Sequence, residues 1–303
     1  MAAVSPRPGP GPAMIRAMPW VFVLIWSTGF VVARLGMPHA PPLTFLSMRY
    51  ALSLVCFAAW VAWARVEWPR GRAQWLHLGV VGMLIHAGYL GGVWAAVKAG
   101  IGAGTVALLV GLQPVLTALW AGAMSGAGDR PSAGVSKRQW WGLALGLVGL
   151  TLVVWHKLGG GELTPLNLGL AVFALLSITI GTLYQKRFVA PCDVRSASTV
   201  QLLAALAVCA PLALLEAEPV VWHAQMIGAL AWSVLGLTLG GSSLLYLLIQ
   251  RGAATEVSSL MYLVPPCTAV MAWLMFGEVV TASMVLGMLL CMGGVALVVR
   301  PAR

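Results

Sequence analysis

The sequence predicts an all-α polytopic membrane protein with ten transmembrane helices. Of its 303 residues, 60% are hydrophobic and only 9% are charged, and the apolar residues form ten continuous runs separated by short basic or Gly/Pro breaks. Each run has roughly the 20 residues that a helix needs to cross a bilayer core of about 30 Å. Because the runs do not alternate with polar residues, they exclude a membrane β-barrel, and helices satisfy every backbone polar group internally.

The ten predicted spans are distributed evenly along the chain. They cover residues 19–37, 43–63, 75–97, 103–124, 140–156, 166–185, 197–215, 226–249, 255–276 and 282–299. The first run is too long for a signal peptide and no small-residue cleavage site follows it. Residues 1–18, which begin with a segment rich in Pro, Gly and Ala, are predicted to be a disordered cytoplasmic tail.

The Lys and Arg residues indicate that both termini lie in the cytoplasm. With the N-terminus inside, only Arg34, Arg49, Lys98 and Lys157 of the 18 basic residues fall on the outer side. An excess of Lys and Arg in short loops marks the cytoplasmic face. The net charge of +10 is therefore a topology signal, and its spread over separate loops argues against nucleic-acid binding. The five cysteines contain no C-x-x-C pair, so neither a metal site nor a cofactor is predicted.

The two halves of the chain resemble each other as an internal repeat. The pattern G-x-x-L-x-x-x-G-x-x-L-V-V of residues 142–154 recurs at 287–299, a shift of 145 residues. Upstream, a shift of 152 residues places Gly88, Gly100, Leu108 and Pro114 on Gly240, Gly252, Leu260 and Pro266. The repeats, residues 19–156 and 166–299, hold five spans each, so the second enters the membrane upside-down. Inverted repeats are typical of secondary transporters, whose substrate site lies near the midplane between the repeats.

The residues of the repeat also carry a family resemblance. The segment WSTGFVVAR at 26–34, followed by Arg49, is similar to the opening of an EamA-type half in the drug/metabolite transporter superfamily. In the second half, RGAATEVSS at 251–259 and FGE at 276–278 resemble the same family. The first half departs from it, because the glutamate expected after the fourth span is missing and Asp129 is the nearest acid. The resemblance, closest to bacterial exporters of aromatic amino acids, implies a ten-helix basket in the inner membrane, with a central cavity, that exports small metabolites.

Polar residues within the spans form three stripes that are predicted to line a substrate cavity. His86 and Tyr89 share a helix face in the third span. The other stripes contain Ser242, Ser243 and Tyr246 in the eighth span, and Ser177 and Tyr184 in the sixth. Hydrogen bonding between helices is the alternative for each stripe. Trp26 is predicted to stack on an aromatic substrate, and lipid-facing packing is its alternative.

Prolines inside two spans and one arginine complete the set of candidate residues. Pro114, Pro265 and Pro266 are predicted hinges at repeat-equivalent positions, with a static kink as the alternative. Arg49 has the chemistry of a carboxylate clamp. Its place near the outer interface, where a long side chain reaches the membrane surface, favours a structural role instead.

The pattern as a whole predicts a secondary transporter that exports small neutral or zwitterionic metabolites, with aromatic or hydrophobic amino acids favoured. The expected partners are a small-molecule substrate and the lipid bilayer. All eight acidic residues lie in loops or at span ends, which favours facilitated diffusion over proton coupling. The alternatives are a proton-coupled drug/metabolite exporter, a channel, and an intramembrane hydrolase that uses His86 with Ser242 or Ser243. The sequence contains no P-loop, so direct drive by ATP is not predicted.

Overall fold

The computed structural model describes residues 12–64, 66–124, 137–159, 162–241, 243, 244, 248 and 261–299. Every regular element within these ranges is helical, which confirms the all-α prediction. The helices of the first half are α1 (Pro12–Gly36), α2 (Pro42–Ala64), α3 (Arg72–Gly82), α4 (Gly91–Lys98), α5 (Ala103–Val110), α6 (Gln113–Met124) and α7 (Lys137–Gly159). Those of the second half are α8 (Pro165–Phe188), α9 (Val194–Ala213), α10 (Ala224–Trp232), α11 (Val264–Phe276) and α12 (Ala282–Val299).

Five helices in the described part are long and apolar enough to cross a membrane. They are Ala17–Gly36, Pro42–Ala64, Arg72–Lys98, Pro165–Phe188 and Val194–Ala213. Five shorter apolar helical stretches of 10–17 residues, the first of which contains both α5 and the start of α6, are Ala103–Thr117, Trp140–Val153, Ala224–Gly240, Val264–Phe276 and Ala282–Leu297. Each predicted span thus contains an apolar helix in its described part, as expected of a polytopic membrane protein.

The tryptophans divide between the surface and the core. Trp63 and Trp155, at helix ends, are 85% and 78% exposed, as expected of side chains that anchor helices at a membrane interface. Trp94 is fully buried, and its ring stacks on Phe45 with a centroid separation of 4.5 Å. The outer surface is therefore apolar and aromatic around a close-packed interior.

Three features differ from the predicted spans. Helix α1 begins at Pro12, so residues 12–18 of the predicted tail are helical. The fourth predicted span is interrupted after Val110, where the amide of Leu112 donates to the carbonyl of Leu109 at 3.2 Å and ends α5 in a tight turn. Pro114 then lies in the first turn of α6, not inside a continuous helix. We refer to Gly111 and Leu112 as the α5–α6 break.

The paired prolines of the second half also lie at a helix start. Helix α11 begins at Val264 after a 3₁₀ turn, Met261–Leu263, and Pro265 and Pro266 fall in its first turn. The first turn of a helix has unpaired amides, so proline costs no hydrogen bond there. Pro114, Pro265 and Pro266 thus lie in the first turns of described helices, and their role as hinges stays a prediction.

Two π-helical segments were not predicted. Met83–Leu90 joins α3 to α4 in one rod, and Ser233–Gly240 extends α10. Both belong to the third helix of their half of the chain. Short π segments are rare and are frequent at functional sites.

Helices α7 and α12 pack through glycines, a contact that we call the glycine seam. A Cβ atom on Gly149 would lie 2.5 Å from the carbonyl oxygen of Gly287, and one on Gly287 would lie 2.5 Å from that of Gly149. Further along, Gly294 packs on the backbone of Gly142. Under the 145-residue shift, Gly142 corresponds to Gly287 and Gly149 to Gly294. Exchange of the two halves therefore converts the Gly149–Gly287 contact into the Gly294–Gly142 contact. Contacts that interchange in this way are the pattern of an isologous interface.

Candidate functional site

A cavity of about 180 Å³ lies between the two halves of the chain. Its wall is mostly apolar and is contributed by α1, the first π segment, the end of α5, the α5–α6 break, the start of α6, α8, the start of α11 with the turn before it, and α12. The residues are Trp26, Phe30, Tyr89, Ala107, Leu108, Val110, Gly111, Gln113, Pro114, Ile178, Met261, Val264, Pro265, Cys291, Met292 and Val295. We call this space the apolar cavity.

The α5–α6 break and the start of α11 meet at the cavity wall. A Cβ atom on Gly111 would lie 2.9 Å from Cγ of Pro265, so the pyrrolidine ring rests directly on the glycine. Two turns earlier on α5 and one turn later on α11, Gly104 packs on Ala269. The two interruptions that the prolines mark are therefore in contact, and both border the cavity. Interrupted helices at a repeat interface form the substrate sites of many membrane carriers.

Gln113 contributes an amide to the cavity wall. Its Nε2 donates to the hydroxyl oxygens of Thr117 at 3.2 Å and Thr182 at 3.3 Å. Sequence reasoning missed this residue, although an amide directly before a proline in an apolar span is an available signal. The bonds tie the start of α6 to α8.

Two of the predicted aromatic residues lie on the cavity. Tyr89 is only 5% exposed and lines it from the first π segment. Trp26 lines it from α1, and its ring packs on Phe22 with a centroid separation of 5.5 Å. With Phe30 they give the cavity three aromatic side chains, which suits an apolar or aromatic ligand.

A polar cluster lies beside the cavity and links both π segments to α2. The Tyr50 hydroxyl donates to the backbone carbonyl of His86 at 2.8 Å, within the first π segment. Arg49 donates from Nε and Nη2 to the hydroxyl of Thr238, both at 3.2 Å, within the second. Thr238 in turn donates to the carbonyl of Ser233 at 2.8 Å. Two successive residues of α2 thus hold one π segment of each half.

Arg49 does not reach the membrane surface. Its residue is only 8% exposed, and its guanidinium turns toward the second half of the chain. The expectation that its long stem carries the charge to the outer interface is therefore wrong. The sequence shows the depth of Arg49 along α2, and it does not show that Thr238 covers it.

Four predicted site residues are not on the cavity wall. His86 Nε2 lies 3.4 Å from the amide oxygen of Gln201, and Ser177 packs on Gly88. The Ser243 hydroxyl donates to the carbonyl of Leu239 at 2.6 Å. Tyr184 hydrogen-bonds to Nδ1 of His77 at 2.9 Å, at the far end of α8. Ser242 and Tyr246 lie outside the described residues.

Three glutamates cap helix N-termini on one side of the protein. Glu216 accepts from the amides of Leu43 at 2.9 Å and Thr44 at 2.7 Å, at the start of α2. Glu162 and Glu278 accept from the amides of Gly102 and Ala103, both at 3.0 Å, at the start of α5. Carboxylates at helix N-termini stabilise the free amides and the helix dipole. Among the described residues, no three His, Cys, Asp or Glu side chains gather closely enough to hold a metal ion.

Comparison with known proteins assigns this architecture. The EamA-like transporter family matches residues 17–155 and 166–300, nearly the whole chain. The chain belongs to this family. It is a multi-pass membrane transporter and not an enzyme, so the hydrolase alternative is wrong.

Curated relatives agree with this assignment, and a solved structure shares the fold. The transporter is 26% identical over 283 residues to a "Probable amino-acid metabolite efflux pump" of Salmonella typhimurium, with 90% of each chain covered. It is 25% identical over 216 residues to the "Uncharacterized inner membrane transporter YedA" of Escherichia coli, covering 71% of this chain and 66% of the other. A crystal structure with 17% identity superposes with a TM-score of 0.66 over 94% of this chain and 97% of that one, which shows a shared fold.

Proposed function

We propose that this transporter exports small neutral or zwitterionic metabolites across the bacterial inner membrane, and that aromatic and hydrophobic amino acids are its preferred substrates. The observation that carries the proposal is the apolar cavity at the contact of the α5–α6 break with α11. A volume of about 180 Å³ is below the roughly 300–1,000 Å³ of pockets for drug-sized ligands. It suits a metabolite of amino-acid size.

The proposed mechanism is alternating access between two inverted five-helix repeats. The exchanged glycine contacts of α7 and α12 support a two-fold relation between the halves. The two separate family matches support the same division of the chain. The cavity lies between the repeats, where rocking of one repeat against the other would expose it to each side in turn. The Lys and Arg distribution supports cytoplasmic termini.

Facilitated diffusion is the proposed mode of transport. The described carboxylates at the start of α2 and α5 serve as helix caps at the ends of spans. His86 is hydrogen-bonded to Gln201 and is absent from the cavity wall. We therefore expect His86→Gln to retain exchange, because the residue acts by hydrogen bonding and does not relay protons.

Flux measurements in proteoliposomes test the proposal. Each of the twenty amino acids is loaded in turn, and efflux is followed with and without an imposed pH gradient. We expect saturable efflux of aromatic and large apolar amino acids, and a loss of about tenfold or more in Tyr89→Ala, whereas Trp155→Ala at an exposed helix end matches the wild type. Absence of saturable efflux for every amino acid would overturn the substrate assignment. Uphill accumulation driven by the pH gradient, and lost in His86→Gln, would overturn facilitated diffusion and favour the proton-coupled alternative.

A further inference from the structure

Arg49 is a buried cation whose counter-charge is missing from the described protein. Its Nε and Nη2 atoms share one neutral acceptor, the hydroxyl of Thr238. Burial of a charge in a membrane protein is costly unless the charge is paired. In the ranges that the structure describes, no carboxylate lies within ion-pairing distance of this guanidinium.

The acids of the chain are engaged elsewhere. Six of the eight are described: Glu67 pairs with Arg70, Glu218 with Lys98 and Asp193 with Arg195, while Glu162, Glu216 and Glu278 cap helices. The other two, Asp129 and Glu256, lie outside the described residues and are predicted at the cytoplasmic side. Arg49 lies near the opposite side of the membrane. It is seven residues, about 10 Å, from the start of α2 at Pro42, which is the predicted outer end of that helix. Among the described residues, every carboxylate is thus engaged away from Arg49.

The elements that enclose Arg49 carry unpaired hydroxyl groups, of which those of Ser53 and Ser233 bear on the guanidinium. Ser53 is one helical turn from Arg49 on the same face of α2, and its Oγ is buried without a hydrogen-bond partner. Ser233, whose carbonyl accepts from Thr238, also has a buried Oγ without a partner. Buried polar atoms are nearly always hydrogen-bonded, so unpaired ones call for an explanation. A polar ligand that accepts hydrogen bonds explains the cation and the hydroxyls together.

Tyr89 connects this polar region to the apolar cavity. Its side chain lines the cavity, and it belongs to the π segment whose His86 carbonyl accepts from Tyr50, the neighbour of Arg49 on α2. It is nine residues from the end of α4 at Lys98, about 13 Å, so the two regions lie at similar depth. Arg49 itself does not line the cavity, so a charged head group would reach it past Tyr89 while the apolar part of the molecule stays in the cavity.

We propose that Arg49 binds the carboxylate of the substrate and restricts this transporter to metabolites that carry one. The inference rests on the proposed function and refines its substrate class. Guanidinium and carboxylate match in bidentate geometry, and the pair is charge-assisted. The carboxylate supplies the missing counter-charge, while the side chain of the substrate occupies the apolar cavity.

The competing role of Arg49 is purely structural, as a brace of the second π segment through Thr238. Thr238→Val separates the two roles, because it removes the brace and keeps the charge. Arg49→Gln removes the charge, and Arg49→Lys keeps the charge without the bidentate fork. Substrate preference within one preparation is the readout, since misfolding lowers all fluxes alike.

The experiment compares phenylalanine, phenylalaninamide and phenethylamine in flux, and phenylacetate with phenylacetamide in thermal stabilisation of the purified transporter. We expect the wild type and Thr238→Val to prefer the carboxylate of each set by about tenfold or more, and Arg49→Gln to lose that preference. Arg49→Lys is expected to bind carboxylates several-fold more weakly and to bind amides as the wild type does. If Arg49→Gln does not fold, Arg49→Lys is the variant that tests whether Arg49 binds the carboxylate.

The outcomes separate this inference from the proposed function. Equal handling of phenylalanine and its amide by the wild type would overturn the role of Arg49 and leave amino-acid export standing. If no amino acid is transported, the proposed function fails, while the phenylacetate arm still decides whether Arg49 binds carboxylates. If Thr238→Val loses the preference for carboxylates together with Arg49→Gln, Arg49 is a brace only. The same holds if Arg49→Lys binds carboxylates as the wild type does.

Discussion

The two halves of this transporter cross at two places, α7 with α12 and α5 with α11, and glycine has a different role at each. In the glycine seam, α7 and α12 are continuous helices whose backbones touch at Gly149 and Gly287. At the second crossing, Gly111 touches a proline ring, α5 ends in the break, and α11 only begins there. The seam has backbone on both sides, whereas the break has a side chain on one side and the apolar cavity next to it.

The difference indicates which crossing is fixed and which moves. Backbone packed on backbone between unbroken helices has no soft degree of freedom, so it shifts only if the helices separate. The break ends one helix and starts another within three residues, and such element ends absorb the dihedral changes of domain motions. We therefore interpret the seam as the support of the two repeats and the break as the moving part of the cavity wall.

The largest expected effect is on the seam. Gly287→Ala places a Cβ atom 2.5 Å from the Gly149 carbonyl oxygen, and neither backbone can yield without separating the helices. We expect a loss of about 3 kcal/mol in unfolding free energy or no recovery of monodisperse protein, measured by thermal unfolding in detergent. Gly293→Ala, on the same helix with nothing within 4 Å, is the control and should change stability by about 0.5 kcal/mol at most. Similar stability of the two variants would mean that the seam is not rigid.

A substitution in the α5–α6 break should reduce transport more than it reduces stability. Gly111→Ala introduces a Cβ atom 2.9 Å from Cγ of Pro265, and a ring edge yields more readily than backbone. We expect a destabilisation of about 1 kcal/mol and a fall in flux of about tenfold, because the wedge holds the break in one arrangement. Gly169→Ala, with nothing within 4 Å, serves as the matched control. Wild-type flux in Gly111→Ala would remove the break from the gating mechanism.

A smaller effect is expected from the amide at the end of the break. Gln113→Leu keeps the size of the side chain and removes its hydrogen bonds to Thr117 and Thr182. Hydrogen bonds between membrane helices contribute about 0.6 kcal/mol on average, so folding should be nearly unaffected. Flux should shift by about threefold in favour of the more apolar substrates, as the wall loses its amide. A uniform change for all amino acids would contradict a position on the substrate surface.

The ten apolar helices and the contacts at Pro114 and Pro265 follow from local patterns that the sequence contains. Apolar length predicts the helices, and the repeated glycines of α7 and α12 mark surfaces that pack closely. The sequence shows where the prolines lie along the chain, and it does not show that each lies in the first turn of a helix. Proline is compatible with a kink or with a first turn, and the choice depends on packing against the other half.

The π segments explain why the predicted stripe of His86 and Tyr89 separates. The face argument assumes α-helical geometry, in which residues three apart are neighbours. The i→i+5 bonding of Met83–Leu90 widens the turn, so that Tyr89 faces the cavity and His86 does not. In an apolar span, one extra residue in a turn leaves no mark on the hydrophobic pattern. The burial of Arg49 was equally invisible, because Thr238 comes from 189 residues away.

The smallest effect is expected at Cys291, the residue that belongs to both regions. Its thiol donates to the carbonyl of Gly146 in the seam at 3.3 Å, and its side chain also lines the apolar cavity. A thiol is a weak donor, so Cys291→Ala should cost at most about 1 kcal/mol in thermal unfolding and change flux by less than about twofold. Cys56→Ala, away from both regions, is the reference. If Cys291→Ala instead loses transport as Gly111→Ala does, with stability intact, then the seam participates in gating. Helix α12 would then belong to the moving part of the transporter and not to its fixed support.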